Sequence, residues 1–172
     1  MLSGFTSGVN AVNAGMKDTR SIYKALFIYN FATLVDWPSA YRKGDFVIGV
    51  YGEGNSVYNE LQKKYNGKAI GSQEIIVKKF NSISEINLVP HILYLTEEKS
   101  DNITKVSSKY SGKSSLLITD KPGYLNKGSI INFVIDKARN NKQSYEISKP
   151  NAKKHKLVIA SKLTSLAVKV IE

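Results

Sequence analysis

A chain of 172 residues, 42% hydrophobic and 23% charged, has the size and composition of one folded domain, long enough to bury a core and far from a disordered sequence. Its 25 Lys and Arg against 14 Asp and Glu give a net charge of +11, a field that favours encounter with acidic proteins, anionic membranes, nucleic acid or anionic small molecules without choosing among them. The absence of cysteine excludes disulfides, a thiolate nucleophile and Cys-based metal sites, and no apolar run reaches the ~18 to 20 residues that span a bilayer.

Residues 1–17 read as an N-terminal arm or the remnant of a signal peptide. The first fourteen are rich in Gly, Ser, Asn and Ala, carry no basic residue and end in Val12-Asn13-Ala14, small residues spaced as at a signal cleavage site but without the positive start and apolar centre. No repeat or linker interrupts residues 18–172, so they form a single domain. Asp18 and Thr19 are candidate caps for a helix over 22–35, which Asp36-Trp37-Pro38 closes because the residue before proline avoids helical angles. Apolar residues surround this helix: Ile22, Ala25, Leu26 and Tyr29 on one side, Phe27, Ile28, Phe31, Leu34 and Val35 on much of the rest. Such a helix is buried on more than one side, which predicts a homodimer if Phe27, Phe31 or Leu34 is left uncovered by the chain itself.

The continuous apolar run 46–51 predicts a strand covered on both faces. A short helix opens at Asn55 or Ser56 with Val57, Leu61 and Tyr65 on one side, and 74–80 reads as the next strand. Ser82-Ile83-Ser84-Glu85 has capping-box spacing. A buried strand at 91–95, a helix over 101–110 and a strand at 116–118 continue the alternation. Ile130 to Asp136 and Ser144 to Ser148 flank a polar turn at Asn140-Asn141, a hairpin signal, and 157–171 reads as a closing helix. The fold class is therefore α/β: three layers, a mainly parallel sheet with helices on both faces, and an antiparallel C-terminal hairpin at its edge.

The residues assign no catalytic group, metal or cofactor. His91, at a strand start, reads as a hydrogen-bonded structural residue, and His155 stands among lysines that discourage protonation and metal binding. There is no Gly-x-Ser-x-Gly elbow. Gly52-Glu53-Gly54 imitates a dinucleotide fingerprint but lacks its third glycine and sets Glu53 where phosphate would lie. No nucleic-acid-binding motif accompanies the charge, and the lysines of 149–156 read as a solvated turn.

Four stretches, in order, resemble the YfiR family of small periplasmic regulatory proteins: Lys24-Ala25-Leu26-Phe27-Ile28-Tyr29-Asn30-Phe31 with Val35-Asp36-Trp37-Pro38; His91-Ile92-Leu93-Tyr94-Leu95; Gly128-Ser129-Ile130-Ile131-Asn132-Phe133-Val134; and Tyr145-Glu146-Ile147 through Asn151-Ala152 to 157–163 and Leu166-Ala167. The resemblance implies a non-catalytic, periplasmic α/β domain, prone to dimerise, that represses an inner-membrane diguanylate cyclase by holding its periplasmic sensor region. Related domains are fused to sensor kinases. The chain departs from the family in lacking the cysteines that give some members a redox response, and in placing Lys156 where glycine often precedes the last helix. Candidate partner- or ligand-binding residues are Asn30 and Phe31 of the opening helix, Trp37 at its exit, Asn132 interrupting an apolar strand, and Glu146 on the facing strand. The other reading is a periplasmic small-ligand receptor feeding a sensor kinase, its ligand beyond the carboxyl ends of the strands, near Gly52, Thr96 and Asp120.

Overall fold

The computed structural model of the protein describes residues 7–53 and 56–172, with side chains described from Thr19 onward. The backbone is helical from Ser7, inside the stretch read as an arm or signal remnant; the first six residues of that stretch lie outside the described residues. Helix α1, Ser7–Leu34, leads into the short strand β1, Val35–Asp36. There follow β2, Phe46–Tyr51; α2, Ser56–Lys64; β3, Ala69–Ile70; β4, Gln73–Phe80; and β5, Ile92–Leu95. Next come α3, Ile103–Lys109; β6, Leu116–Thr119; β7, Ile131–Asp136; and β8, Lys142–Ser148. The chain finishes with α4, Lys149–Lys154; β9, Val158–Ile159; α5, Ser161–Leu166; and β10, Lys169–Ile171.

Eight strands form one sheet in the order β10-β8-β7-β6-β5-β2-β4-β3. From β4 to β7 it is parallel; β8 joins β7 antiparallel, and β3 joins β4 antiparallel at the other end. This is the expected three-layer α/β architecture. The hairpin turns at Asn140 and Asn141, both left-handed (φ +57° and +56°), as short polar side chains permit. Register lines up Phe46, Ile48 and Val50 with Ile92 and Tyr94, then Leu116 and Ile118, on one face. That face packs on α1; the other, carrying Tyr51, Leu93 and Leu117, is covered by α3 and the segment around Tyr124.

The several apolar sides of α1 are satisfied within the chain. Ala25, Ile28, Phe31 and Ala32 are buried toward the sheet; Tyr29 stacks on Tyr65 at 4.6 Å; and Phe27 meets the Tyr145 ring edge-on at 5.3 Å. Phe31 is fully buried, and Phe27 and Leu34 pack against the core, so none of the three residues that motivated the homodimer is left bare. Among the described residues of α1, the exposed large apolar ones are Ile22, Tyr23 and Leu26 instead.

Two local expectations are corrected. The closing helix over 157–171 is a strand, a six-residue helix and a second strand: Val158-Ile159 pairs with Val35-Asp36, and Lys169–Ile171 lies parallel to β8. β-Branched residues at both ends of that window suit extended backbone, and open strand edges supply the partners. The lysine run 149–156 is not a solvated turn. Ser148 accepts from the Asn151 amide as a cap, Pro150 sits in the first turn, and Asn151 Nδ2 donates to the Leu125 and Ser129 carbonyls at 2.8 Å each. Lys156, which stands in a place where the resembling family often has glycine, is left-handed at φ +57°.

Candidate functional site

Counting only the parallel strands, the sheet order is second, first, third, fourth and fifth in chain order, so the connections leaving β2 and β5 part to opposite sides. Doubly wound sheets bind ligands beyond the carboxyl ends of the strands at such a switch point. Here a cavity of about 330 Å³ occupies that place, walled by Arg20, Ser21 and Lys24 of α1, Glu53 after β2, Ser56 and Val57 opening α2, the end of β5 with Thr96, Glu97 and Glu98, and Asp120 after β6.

Its walls are tied together by polar contacts. Lys24 Nζ donates to Asp120 Oδ2 at 2.6 Å, Tyr94 OH donates to the same oxygen at 2.5 Å, and Ser100 Oγ accepts from the Asp120 amide at 3.0 Å. The Ser21 and Ser56 hydroxyls share a hydrogen bond that joins α1 to α2. Lys24 and Asp120 are mostly buried, so losing either would leave an uncompensated charge at this end of the sheet. Gly52 ends β2 at φ +142°, and a Cβ there would lie 2.2 Å from Thr96 Oγ1; glycine is what lets Thr96 close over the strand. Thr96 is 4% exposed, and its Oγ1, packed against Gly52, has no hydrogen-bond partner among the described residues.

A second cavity of about 690 Å³ shares Arg20, Lys24, Glu97 and Asp120 with the first and runs on over Phe133, Val134, Ile135, Glu146 and Val168. The two form one groove across the carboxyl edge of the sheet. Among the described residues no group of three or more His, Asp or Glu converges as a metal site.

The sequence-predicted residues are dispersed about this groove. Asn132 and Glu146 do meet: Asn132 is fully buried, its Nδ2 donates to Glu146 Oε2 at 3.4 Å, and its Oδ1 accepts from Thr119 Oγ1 at 2.7 Å and from the Lys121 amide at 3.3 Å. Glu146 also lines the larger cavity. Trp37 is buried, edge-on to Phe46 at 5.1 Å, with an unpartnered Nε1. Phe31 lies in the core between Phe133 and Tyr145, and half-buried Asn30 accepts from Thr33 Oγ1 through its carbonyl. Phe31, Trp37 and Asn132 thus offer almost no surface to a partner; they shape what surrounds them. The loops at Gly52, Thr96 and Asp120 do border this groove, as the small-ligand reading placed them, whereas Lys24 and Tyr94 were missed as site residues because they come from distant segments that only the sheet order brings to Asp120.

Both histidines are structural in geometry. His91 Nδ1 accepts from the Val47 amide at 3.1 Å, which puts the proton on Nε2, and Nε2 donates to the Tyr41 carbonyl at 2.7 Å. His155 Nδ1 bonds the Lys113 carbonyl at 3.0 Å. Burial lowers the pKa of each.

The model of one protein family, described as YfiR/HmsC-like, matches residues 21–168. No curated protein matches the chain.

Proposed function

The chain belongs to the YfiR/HmsC-like family, and we propose that it is a non-catalytic periplasmic domain that binds and represses an inner-membrane signalling protein of the diguanylate cyclase type. The family match carries this reading, since it spans the core-forming part of the domain from Ser21 within α1 to Val168, just before β10. The contact is protein to protein. Its surface is the outer face of α1, where Ile22, Tyr23 and Leu26 are exposed beside Asn30. A second copy of the chain competes for the same face, and sedimentation at micromolar protein separates a homodimer from a monomer that keeps this face for its partner.

Deleting the gene is expected to raise cellular cyclic-di-GMP, and re-expression to restore it. An unchanged level in the deletion strain contradicts repression of a cyclase. The groove at the switch point favours a second reading, a periplasmic small-ligand receptor feeding a sensor kinase, through its location beyond the carboxyl ends of the strands.

A further inference from the structure

Every large apolar side chain that the described residues leave exposed lies on one of two stretches: Ile22, Tyr23 and Leu26 of α1, and Val158, Leu166 and Val168 near the C-terminus. The two stretches are neighbours. The Ala160 amide donates to the Leu34 carbonyl at 3.1 Å, and Tyr145, whose ring meets Phe27 edge-on, donates its hydroxyl to the Leu163 carbonyl at 2.8 Å. Val168 shares a cavity wall with Arg20 and Lys24. Residues 160–168 therefore run antiparallel along α1, from its last turn back toward Arg20. Scattered singly, such side chains would be ordinary surface; gathered on one side, they mark a contact.

The charge around the C-terminal stretch says with what. Residues 147–171 contain six lysines and no Asp or Glu. Lys149 is met by Glu172 at 2.6 Å; Lys153, Lys154, Lys156, Lys162 and Lys169 are exposed, and among the described residues none of the five is ion-paired. The acids bordering the stretch are engaged: Asp36, across from Val158, lies 3.9 Å from Arg42, and Glu146, across from Lys169, accepts from the Asn132 amide. α4 packs against both β9 and β10, which keeps its lysines with the rest. On α5 the exposed Ser161, Lys162, Ser165 and Leu166 share one face, while Leu163 turns into the core.

We infer that the surface formed by α4, β9, α5 and β10 docks the domain on an anionic phospholipid bilayer. Residues 147–171 carry no Arg and no aromatic side chain, the types that anchor protein–protein contacts, and are rich in Lys, the type those contacts lack. Lysines around exposed aliphatics suit lipid instead: the aliphatics enter the headgroup boundary, and each ammonium reaches a phosphate on its flexible stem. This goes beyond the protein contact assigned to the outer face of α1, and vesicles free of protein test it separately.

Co-sedimentation with vesicles of equal parts phosphatidylglycerol and phosphatidylcholine tests it, against phosphatidylcholine alone. The protein is expected to pellet with the anionic vesicles, to leave them at high salt, and to ignore the neutral ones. The triple variant Lys154→Gln/Lys162→Gln/Lys169→Gln is expected to weaken binding about tenfold or more. Lys63→Gln/Lys78→Gln/Lys105→Gln, an equal loss of exposed charge elsewhere, is expected to leave it near wild type. Leu166→Ser, at an exposed position, is expected to weaken binding severalfold without shifting the melting temperature, and serves should the first variant unfold. Failure to pellet with anionic vesicles, equal binding to neutral ones, or equal loss in the two triple variants overturns the inference. So does a folded C-terminal variant that keeps vesicle binding but no longer captures a membrane protein, which would assign the surface to a protein.

Discussion

Single residues in this fold are held by partners that local sequence does not reveal. Asn132 was legible as a buried amide needing satisfaction, and Glu146 as its neighbour across the hairpin, because strand register pairs the two. The Thr119 and Lys121 contacts to its oxygen were not, since they come from the adjacent parallel strand and the loop after it. His91 and His155 illustrate the same limit: their structural role follows from their setting, but their carbonyl partners at Tyr41 and Lys113 follow only from the fold. Both folded-state pKa values lie below the usual 6.5, first because burial disfavours the cation. The unfolded chain therefore takes up protons more readily, so stability is full above pH 6.5 and declines as the pH falls through and below it. The melting temperature is expected to hold from pH 8 to about 7 and to drop as the pH falls from about 6.5 to 5; a profile that is flat or rises on acidification contradicts two buried neutral histidines.

Elements were legible where hydrophobic period and punctuation agreed. The apolar runs of β2, β5 and β6 and the Asn140-Asn141 turn are local signals, and the structure follows them within a residue or two. The closing segment escaped because its apolar spacing fits a helix as well as two strands, and only the open edges beside β1 and β8 decide between them. The helix α1 was legible as buried on several sides, yet which sides its own chain covers depends on where α2, β8 and α5 land. Phe31 sits 5.0 Å from the Tyr145 ring and 6.2 Å from that of Phe133 with no exposed surface. Phe31→Ala is accordingly expected to destabilise the domain by about 3–5 kcal/mol in urea unfolding, whereas Leu26→Glu, on the outer face, is expected to change it by less than about 0.5 kcal/mol. A loss below about 1 kcal/mol for Phe31→Ala, or a large one for Leu26→Glu, contradicts this assignment of faces.

At the scale of the whole molecule, net charge said little about where charge matters. The chain is strongly basic, yet four carboxylates line the cavity at the switch point beside Arg20 and Lys24, an arrangement created by sheet order and invisible to composition. The groove and the outer face of α1 are separate surfaces of one helix, which contributes Lys24 to the first and Leu26 to the second. The account stands most directly on the protein contact. Wild-type protein, immobilised and exposed to detergent-solubilised inner membranes, is expected to retain a membrane protein bearing a diguanylate cyclase or sensor-kinase domain, and the folded double variant Ile22→Glu/Leu26→Glu is expected to lose it. Retention of no such protein, or equal retention by wild type and variant, would contradict the account.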